Sequence, residues 1–328
     1  MALSYLEDIP TRESLRMIDM NKSLRMIDMN IDIKENFIKY LTDFEYDSEP
    51  RAELLSAMEV MLGCEEAVLR LKAHVARYIE GELDFDKLTE DAIFVAALSG
   101  IHEYHARFIY YTALVPYALP YFEAMGLGRE EWYDSMIDFK WKMNECHSVY
   151  GIWGTSTAWF KSFFTAARVA FGRLQFNMFT ANISYKSEKM ELKEDTPVVT
   201  VHIPSDTRTP FSKEQRLASY RRAEKYFSKF FPDGKVIFRC GSWLLSPAHR
   251  EILPEGSNIR SFLDDFEIVP GSYKSAMDDL WRIFYTKDYN GDPDSLPEDT
   301  SLMRAYKKYL KEGGEIGLAV GFRAGAEG

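Results

Sequence analysis

The residues best suited to chemistry in this chain lie in one polar turn, 205–211, between a predicted strand and a predicted helix. The strand, 198–203, is β-branched and mostly apolar, and Pro204 ends it because proline has no backbone N–H to donate. Ser212 then begins the helix, since Gln215 follows it at the spacing of a capping box. The turn therefore leads directly into a helix N-terminus.

A helix N-terminus suits an anion, often a phosphate, because its first amides lack internal partners and the helix dipole is positive there. Further donors stand in or beside the turn: Ser205, Thr207, Arg208, Thr209 and Ser212. A second strand is predicted directly after the helix, at 236–245. A simpler interpretation stays open, in which Ser212 only caps the helix and the turn is a solvated connection.

Composition excludes several classes of function. The chain has 328 residues, enough for two domains, and a net charge of −11 with no block of lysine and arginine. Extended nucleic-acid binding and binding to an anionic membrane surface are therefore not expected, because both need concentrated positive charge. The three cysteines are isolated, and the N-terminus lacks a signal-peptide core. We accordingly expect a cytoplasmic protein, and its oligomeric state stays open.

The periodicity of the sequence changes near residue 170, and we predict an α+β protein with a domain on each side. Residues 1–170 form an all-helical N-terminal domain, in which 1–32 is a lead-in that contains SLRMIDMN twice, at 14–21 and 23–30. Residues 171–328 alternate strands and helices.

Three local predictions within these domains are specific enough to be checked. Thr89 caps a helix over 90–112, and a further helix covers 155–170. The segment 280–286 is predicted as a strand, with a short helix as the alternative.

Four sequence blocks resemble a bacterial group of two-domain GNAT-like N-acyltransferases, which have a helical N-terminal domain and a GNAT-like C-terminal domain. The blocks are FGRLQFN at 171–177, VHIPSD at 201–206, CGSWLLSPAHREILPEGSNI at 240–259 and GGEIGLAVGFR at 313–323. The resemblance covers essentially the whole chain after the N-terminal repeat. It implies a mixed, mainly antiparallel GNAT-like sheet with flanking helices, which splays open at its middle.

The resemblance also implies a co-substrate and the residues that would bind it. Acyl-CoA would be the acyl donor, a small-molecule amine the acceptor, and no tightly bound cofactor is expected. The strand with Val201 and Ile203 would offer backbone groups to the pantetheine arm, and the turn from Ser205 to Ser212 would hold the diphosphate. Asn258 would either reach the cofactor from a helix over 258–266 or cap that helix, and capping is favoured.

One departure from the family pattern supports an alternative function. GNAT enzymes usually carry a glycine-rich turn whose amides approach the phosphates, whereas this turn has no glycine, and Pro210 removes one amide. Either hydroxyls and Arg208 hold the phosphate, or coenzyme A binds differently or not at all. The alternative is therefore a non-catalytic binding module on a degenerate GNAT scaffold.

Acyl transfer to an amine needs a base, a stabilised oxyanion and a leaving thiolate. His202 is the candidate base, since it lies beside the turn and histidine ordinarily titrates near working pH, although its ring could simply bond the loop. Cys240 is a candidate nucleophile or a small buried hydrophobe, and Tyr273 a candidate acid. Trp243 either lines the substrate pocket or belongs to the core.

The helical half contains the sequence H-E-x-H, at His102, Glu103 and His105. The spacing differs from the H-E-x-x-H of zinc proteases, and the E-x-x-H pairs of di-iron bundles are missing. We therefore predict no metal site, and expect a polar seam between helices instead.

Overall fold

The computed structural model describes residues 31–287 and 289–325. Contacts divide this part of the chain into two compact units, 31–170 and 171–325. Both copies of SLRMIDMN lie outside the described residues.

The first unit is built from helices around a core of aromatic and aliphatic side chains. They are α1 (Ile33–Asp43), α2 (Ser48–Leu62), α3 (Glu65–Ile79), α4 (Phe85–Ser99), α5 (Glu103–Thr112), α6 (Leu119–Ala124), α7 (Arg129–Met136), α8 (Asp138–Tyr150) and α9 (Lys161–Phe164). A 3₁₀ turn, Val115–Tyr117, precedes α6.

The predicted helix over 90–112 with Thr89 as its cap is wrong. Asp84 begins α4 by accepting the amides of Asp86 and Lys87, and the Thr89 hydroxyl bonds the carbonyl of Phe85 inside that helix. Gly100, with a φ of 73°, then ends α4 before α5 begins. An isolated glycine in a helical pattern was the signal for this break.

The predicted helix over 155–170 is also largely wrong. Only α9 is α-helical there, and Arg168–Phe171 is strand β1, which lies beside β2 in the sheet. Pairing between strands supplies the backbone hydrogen bonds of β1, and such tertiary context overrides a local helical period.

The remaining strands are β2 (Leu174–Thr180), β3 (Tyr185–Lys186), β4 (Glu191–Leu192), β5 (Pro197–His202), β6 (Ile237–Ser242), β7 (Glu267–Ile268), β8 (Lys274–Ser275) and β9 (Gly317–Ala324). The main sheet has the order β1-β2-β5-β6-β9-β7, with β8 paired to β9, while β3 and β4 form a separate hairpin. β5 and β6 are parallel, whereas β2–β5, β6–β9 and β7–β9 are antiparallel. The predicted α+β class with a mixed, mainly antiparallel sheet is confirmed.

The helices of the second unit are α10 (Lys213–Phe227), α11 (His249–Ile252), α12 (Asn258–Phe262), α13 (Trp281–Phe284) and α14 (Ser301–Lys311). Ser212 caps α10 as predicted, because its Oγ accepts from the amide of Gln215 at 3.4 Å. The cap of α12 is Ser257, not Asn258, which is the first residue of that helix.

The strand prediction for 280–286 is wrong, and its short-helix alternative is correct. A 3₁₀ turn, Met277–Leu280, leads into α13. Leu280, Ile283 and Phe284 are buried together against α14, at the i, i+3, i+4 spacing of one helix face.

Within residues 31–287 and 289–325, we find no helix that combines the length and the apolar character needed to cross a membrane.

Candidate active site

β5 and β6 are paired over only two residues of each strand. Val199 pairs with Phe238 and Thr200 with Arg239, after which the ladder between these strands ends. β5 continues to His202, and β6 continues to Ser242 with its pairing to β9 intact. We call the segments beyond the last shared pair, 201–203 and 240–242, the strand opening.

One face of this part of the sheet is apolar and packs against α10. The ring of Phe238 lies 5.4 Å from that of Tyr220 and 5.7 Å from that of Phe176. Cys240 is on the same face, because side chains alternate along a strand, and it is fully buried. The core on this face holds α10, and hence the turn before it, against the strands.

The opposite face changes from apolar to polar along the strands. At one end, Val198 and Phe322 pack with the β3–β4 hairpin in a buried cluster. Toward the strand opening the same face carries Asn177, Thr200 and His202, since Asn177 and Thr200 are directly paired and His202 is two residues further along β5. The predicted base therefore lies at the polar end of this face.

His202 is bonded to the neighbouring strand through Asn177. The imidazole Nε2 lies 2.6 Å from Asn177 Oδ1, while Asn177 Nδ2 donates to the carbonyl of Met178 at 2.8 Å. Because the amide nitrogen is already engaged, the amide oxygen faces the imidazole and accepts a hydrogen from Nε2. This assigns the neutral ring the Nε2–H tautomer, with Nδ1 as its basic nitrogen.

Arg239 and Thr200, the last pair before the strand opening, contain unsatisfied polar atoms. Among the described residues, Arg239 Nε and Thr200 Oγ1 are buried without a hydrogen-bond partner. Arg239 Nη2 donates to Asn182 Oδ1 at 3.2 Å, and its guanidinium lies over the ring of Phe179. Burial lowers the pKa of Arg239. A polar group of a ligand at this point would find donors that the protein itself leaves unused.

The turn before α10 is organised by Asp206, whose side chain is only 6% exposed. Its Oδ1 accepts from the amides of Arg208 at 2.7 Å and Thr209 at 3.2 Å. Ser205 and Thr207 are exposed and Thr209 is partly buried. Two of the amides expected to hold a phosphate are thus already bonded inside the turn.

Two arginines lie under this turn, and their positions could not be read from the sequence. Arg216 is fully buried and donates to both carboxylate oxygens of Asp265, at 2.6 and 3.2 Å, to Ser261 and to the carbonyl of Phe211. Arg173, from the turn between β1 and β2, donates from Nη1 to the carbonyl of Pro204 at 2.9 Å.

The other predicted site residues lie on several different elements of the second unit. Burial raises the pKa of the Cys240 thiol to about 12, which opposes formation of a thiolate. Trp243 directly follows β6 and packs edge-on against His249 and Tyr306. Tyr273 is 40% exposed and donates to the carbonyl of Glu315 at 3.2 Å. Asn258 is exposed.

The H-E-x-H residues have separate partners. The His102 ring accepts the amide of Tyr104 as a helix cap, while His105 bonds Glu53 at 2.8 Å. Glu103 pairs with Arg107 on the same helix. No cluster of three or more His, Cys, Asp or Glu side chains suited to a metal is found in the described part of the chain.

Comparison with protein families gives two adjoining matches. An N-acyltransferase N-terminal domain matches residues 35–166, and a GNAT-like C-terminal domain matches residues 169–323. The chain belongs to the two-domain GNAT-like N-acyltransferases. The family membership predicted from the four sequence blocks is confirmed.

Solved structures with the fold of this chain include acyltransferases. One, in complex with decanoyl-CoA and teicoplanin, is 21% identical with a TM-score of 0.57, over 74% of this chain and 77% of that one. Another, in complex with CoA and 10C-teicoplanin, is 21% identical with a TM-score of 0.57, over 88% of this chain and 99% of that one. At identities this low, the likeness shows a shared fold and nothing more. No curated protein matches the chain.

Proposed function

We propose that this protein is an N-acyltransferase that moves an acyl group from acyl-CoA to an amine acceptor. The observation that carries the proposal is the short β5–β6 pairing, which ends at Thr200 and Arg239 and leaves His202 beside the strand opening. Acyltransferases of the same fold have been solved with acyl-CoA bound, which supports this donor. The acceptor that we propose is a small-molecule amine.

In the proposed reaction, the pantetheine arm lies in the strand opening against the backbone of Val201 and Ile203. The acceptor nitrogen attacks the thioester carbonyl, a C–N bond forms and the C–S bond breaks. His202 takes the proton that the amine loses, and the hydrogen bond to Asn177 Oδ1 stabilises the resulting imidazolium. The leaving thiolate then takes a proton, for which Tyr273 is the candidate donor.

Cys240 is not needed in this scheme. Its buried thiol has a raised pKa, and a direct attack by the amine requires no enzyme nucleophile. Trp243 is proposed to border the acyl chain, since it directly follows the β6 side of the strand opening and is partly buried.

One observation favours the alternative, a non-catalytic binding module. The amides of Arg208 and Thr209 are bonded to Asp206, so the turn lacks the free converging amides of a usual GNAT phosphate site. A binding module would bind its ligand without releasing free coenzyme A. An enzyme would release thiol in the presence of a suitable amine.

The test combines turnover with a variant of the proposed base. Octanoyl-CoA is incubated with a panel of amino sugars, amino acids and polyamines, and both free thiol and N-octanoyl product are measured. We expect at least one amine to give product, and His202→Asn to lower kcat/KM about 10²–10⁴-fold with unchanged folding. His102→Ala, a helix-cap histidine of the other unit, is the control. Octanoyl-CoA binding without product from any amine would support the binding module, and unchanged kinetics of His202→Asn would remove the base assignment.

A further inference from the structure

Arg173 is a buried cation that takes no part in the proposed proton transfers. It follows Gly172 in the turn between β1 and β2 and is only 6% exposed. Its Nη1 donates to the carbonyl of Pro204, and its guanidinium carbon lies 4.9 Å from the centre of the Phe211 ring. Pro204 precedes the turn 205–211 and Phe211 ends it, so the guanidinium lies against this turn from one end to the other.

The guanidinium of Arg173 keeps unused donor capacity. Its Nε is buried and has no hydrogen-bond partner among the described residues, and no carboxylate within that part of the chain forms an ion pair with it. Asp206 acts on it only as a nearby charge, and burial lowers the pKa of Arg173. A buried cation that lacks both an anion and a full set of acceptors is costly, and a bound anion would remove that cost.

Several other polar groups of the turn and of the start of α10 are already engaged. Asp206 holds the amides of Arg208 and Thr209, and the Ser212 hydroxyl caps the amide of Gln215. Arg216, the second buried guanidinium, donates to Asp265, Ser261 and the carbonyl of Phe211. Arg216 thus uses four of its five N–H groups, whereas Arg173 uses one, so Arg173 has more N–H groups left for a ligand.

We propose that Arg173 binds the diphosphate of the acyl donor, in place of the glycine amides that this turn lacks. The inference rests on the proposed function, because the diphosphate is that of acyl-CoA. A guanidinium can donate two parallel hydrogen bonds to phosphate oxygens, and its charge compensates for the nearby Asp206. The anion site is thus supplied from the β1–β2 turn, a different element from the strand–turn–helix unit that it serves.

The test uses three donors that differ in their phosphates. Octanoyl-CoA and octanoyl-dephospho-CoA both contain the diphosphate, whereas octanoyl-pantetheine does not. Binding to the wild type, Arg173→Met and Arg173→Lys is measured by calorimetry. Arg250→Met is the control, since Arg250 is an exposed arginine of the same unit that pairs with Asp264.

We expect Arg173→Met to lower the affinity for octanoyl-CoA and for octanoyl-dephospho-CoA, the two nucleotide donors, by the same factor of about 10–100. The affinity for octanoyl-pantetheine should stay within twofold of the wild-type value. Arg173→Lys retains the charge without the planar guanidinium, so its affinity for the nucleotide donors should lie between those of the wild type and Arg173→Met. This second variant keeps the test decisive if Arg173→Met fails to fold. Arg250→Met should bind all three donors like the wild type.

Two results would overturn the inference while leaving the proposed function intact. One is unchanged binding of both nucleotide donors by the Arg173 variants, and the other is a loss confined to octanoyl-CoA, which would assign Arg173 to the 3′-phosphate. Failure of the wild type to bind either nucleotide donor would instead refute the proposed function, and this inference with it.

Discussion

At the scale of single residues, the environment of each side chain separates the candidates that the sequence placed together. His202 and Cys240 lie on neighbouring strands, but alternation places them on opposite faces of the sheet. His202 shares its face with polar side chains, whereas Cys240 is enclosed between the sheet and α10. The physical reason for preferring a histidine base to a cysteine nucleophile is this difference in burial.

Asn177 is expected to position His202 without taking part in the chemistry. Asn177→Leu removes the acceptor of the Nε2 hydrogen and should lower kcat by about tenfold or more, with little change in KM for the acyl donor. Asn177→Asp places a carboxylate beside the ring, favours the imidazolium, and should shift the acid limb of the kcat/KM profile to higher pH by about one unit. Steady-state kinetics between pH 5 and 9 check both.

The comparison between these two variants distinguishes positioning from packing. A purely structural asparagine would give variants with lower stability and an unchanged pH profile. An identical acid limb in the wild type and Asn177→Asp would therefore contradict this role.

Cys240→Ala is expected to retain turnover within about threefold of the wild type, because the raised pKa of this thiol leaves almost no thiolate at pH 7. The variant should lose about 1 kcal/mol of unfolding free energy from the small cavity. Kinetics and urea unfolding measure the two effects. A loss of activity of a hundredfold or more in a folded variant would reinstate the cysteine as a nucleophile.

At the scale of elements, the N-terminus of α10 is held by a buried ion pair as well as by its serine cap. Arg216 in the first turn of α10 reaches Asp265, which follows α12, and the phenol of Tyr220 also contacts that carboxylate. Arg323 of β9 donates to the carbonyl of the same residue. This network ties α10 to α12 and to the central sheet, and so sets the position of the turn that precedes α10.

Asp265→Asn is expected to destabilise the protein by about 3–5 kcal/mol, because it leaves the Arg216 charge buried without its partner. The neighbouring substitution Asp264→Asn is the matched control: its pair with Arg250 is exposed and should contribute less than about 1 kcal/mol. Urea unfolding of both variants gives the comparison. Equal losses would mean that the buried pair has no special role.

At the scale of the whole molecule, stability should depend on a buried histidine outside the proposed site. His249 is fully buried, bonded to the carbonyl of Leu244 and to the phenol of Tyr306, and burial lowers its pKa from 6.5 to about 4. Between pH 6.5 and about pH 4, this histidine is therefore protonated in the unfolded chain and neutral in the folded chain. Above pH 6.5 the histidine has no effect, and below it stability falls with pH until about pH 4.

This difference in the pKa of His249 between the folded and unfolded chains lowers the free energy of unfolding by about 3 kcal/mol on acidification from pH 7 to pH 4. Carboxylates with lowered pKa values, such as Glu267, add to the loss of stability at the acidic end of this pH range. His249→Gln keeps hydrogen-bonding capacity without a titrating group, so its unfolding free energy should fall less steeply between pH 6.5 and 4. Parallel pH dependences for the variant and the wild type would contradict this prediction.

Much of the fold could be predicted from the sequence because local signals agreed with tertiary structure. The β-branched run before Pro204 and the Ser212–Gln215 capping spacing each correspond to an observed element. The errors fall where local and tertiary preferences differ. The aromatic-rich segment 155–170 has a helical period, yet its end forms β1. In 280–286 a strand-like composition concealed a buried helical face.

The sequence by itself indicated the family, through the resemblance of four sequence blocks. It also determined the strand–turn–helix–strand unit and the residue types able to act on an acyl thioester, because these depend on residue spacing and local backbone preference. Only the tertiary structure decided which side chains meet. The register of β2 with β5 brings Asn177 to His202, and the β1–β2 turn brings Arg173 beneath the turn before α10. Those contacts join residues 25 and 31 positions apart, and no local pattern specifies a pairing at that separation.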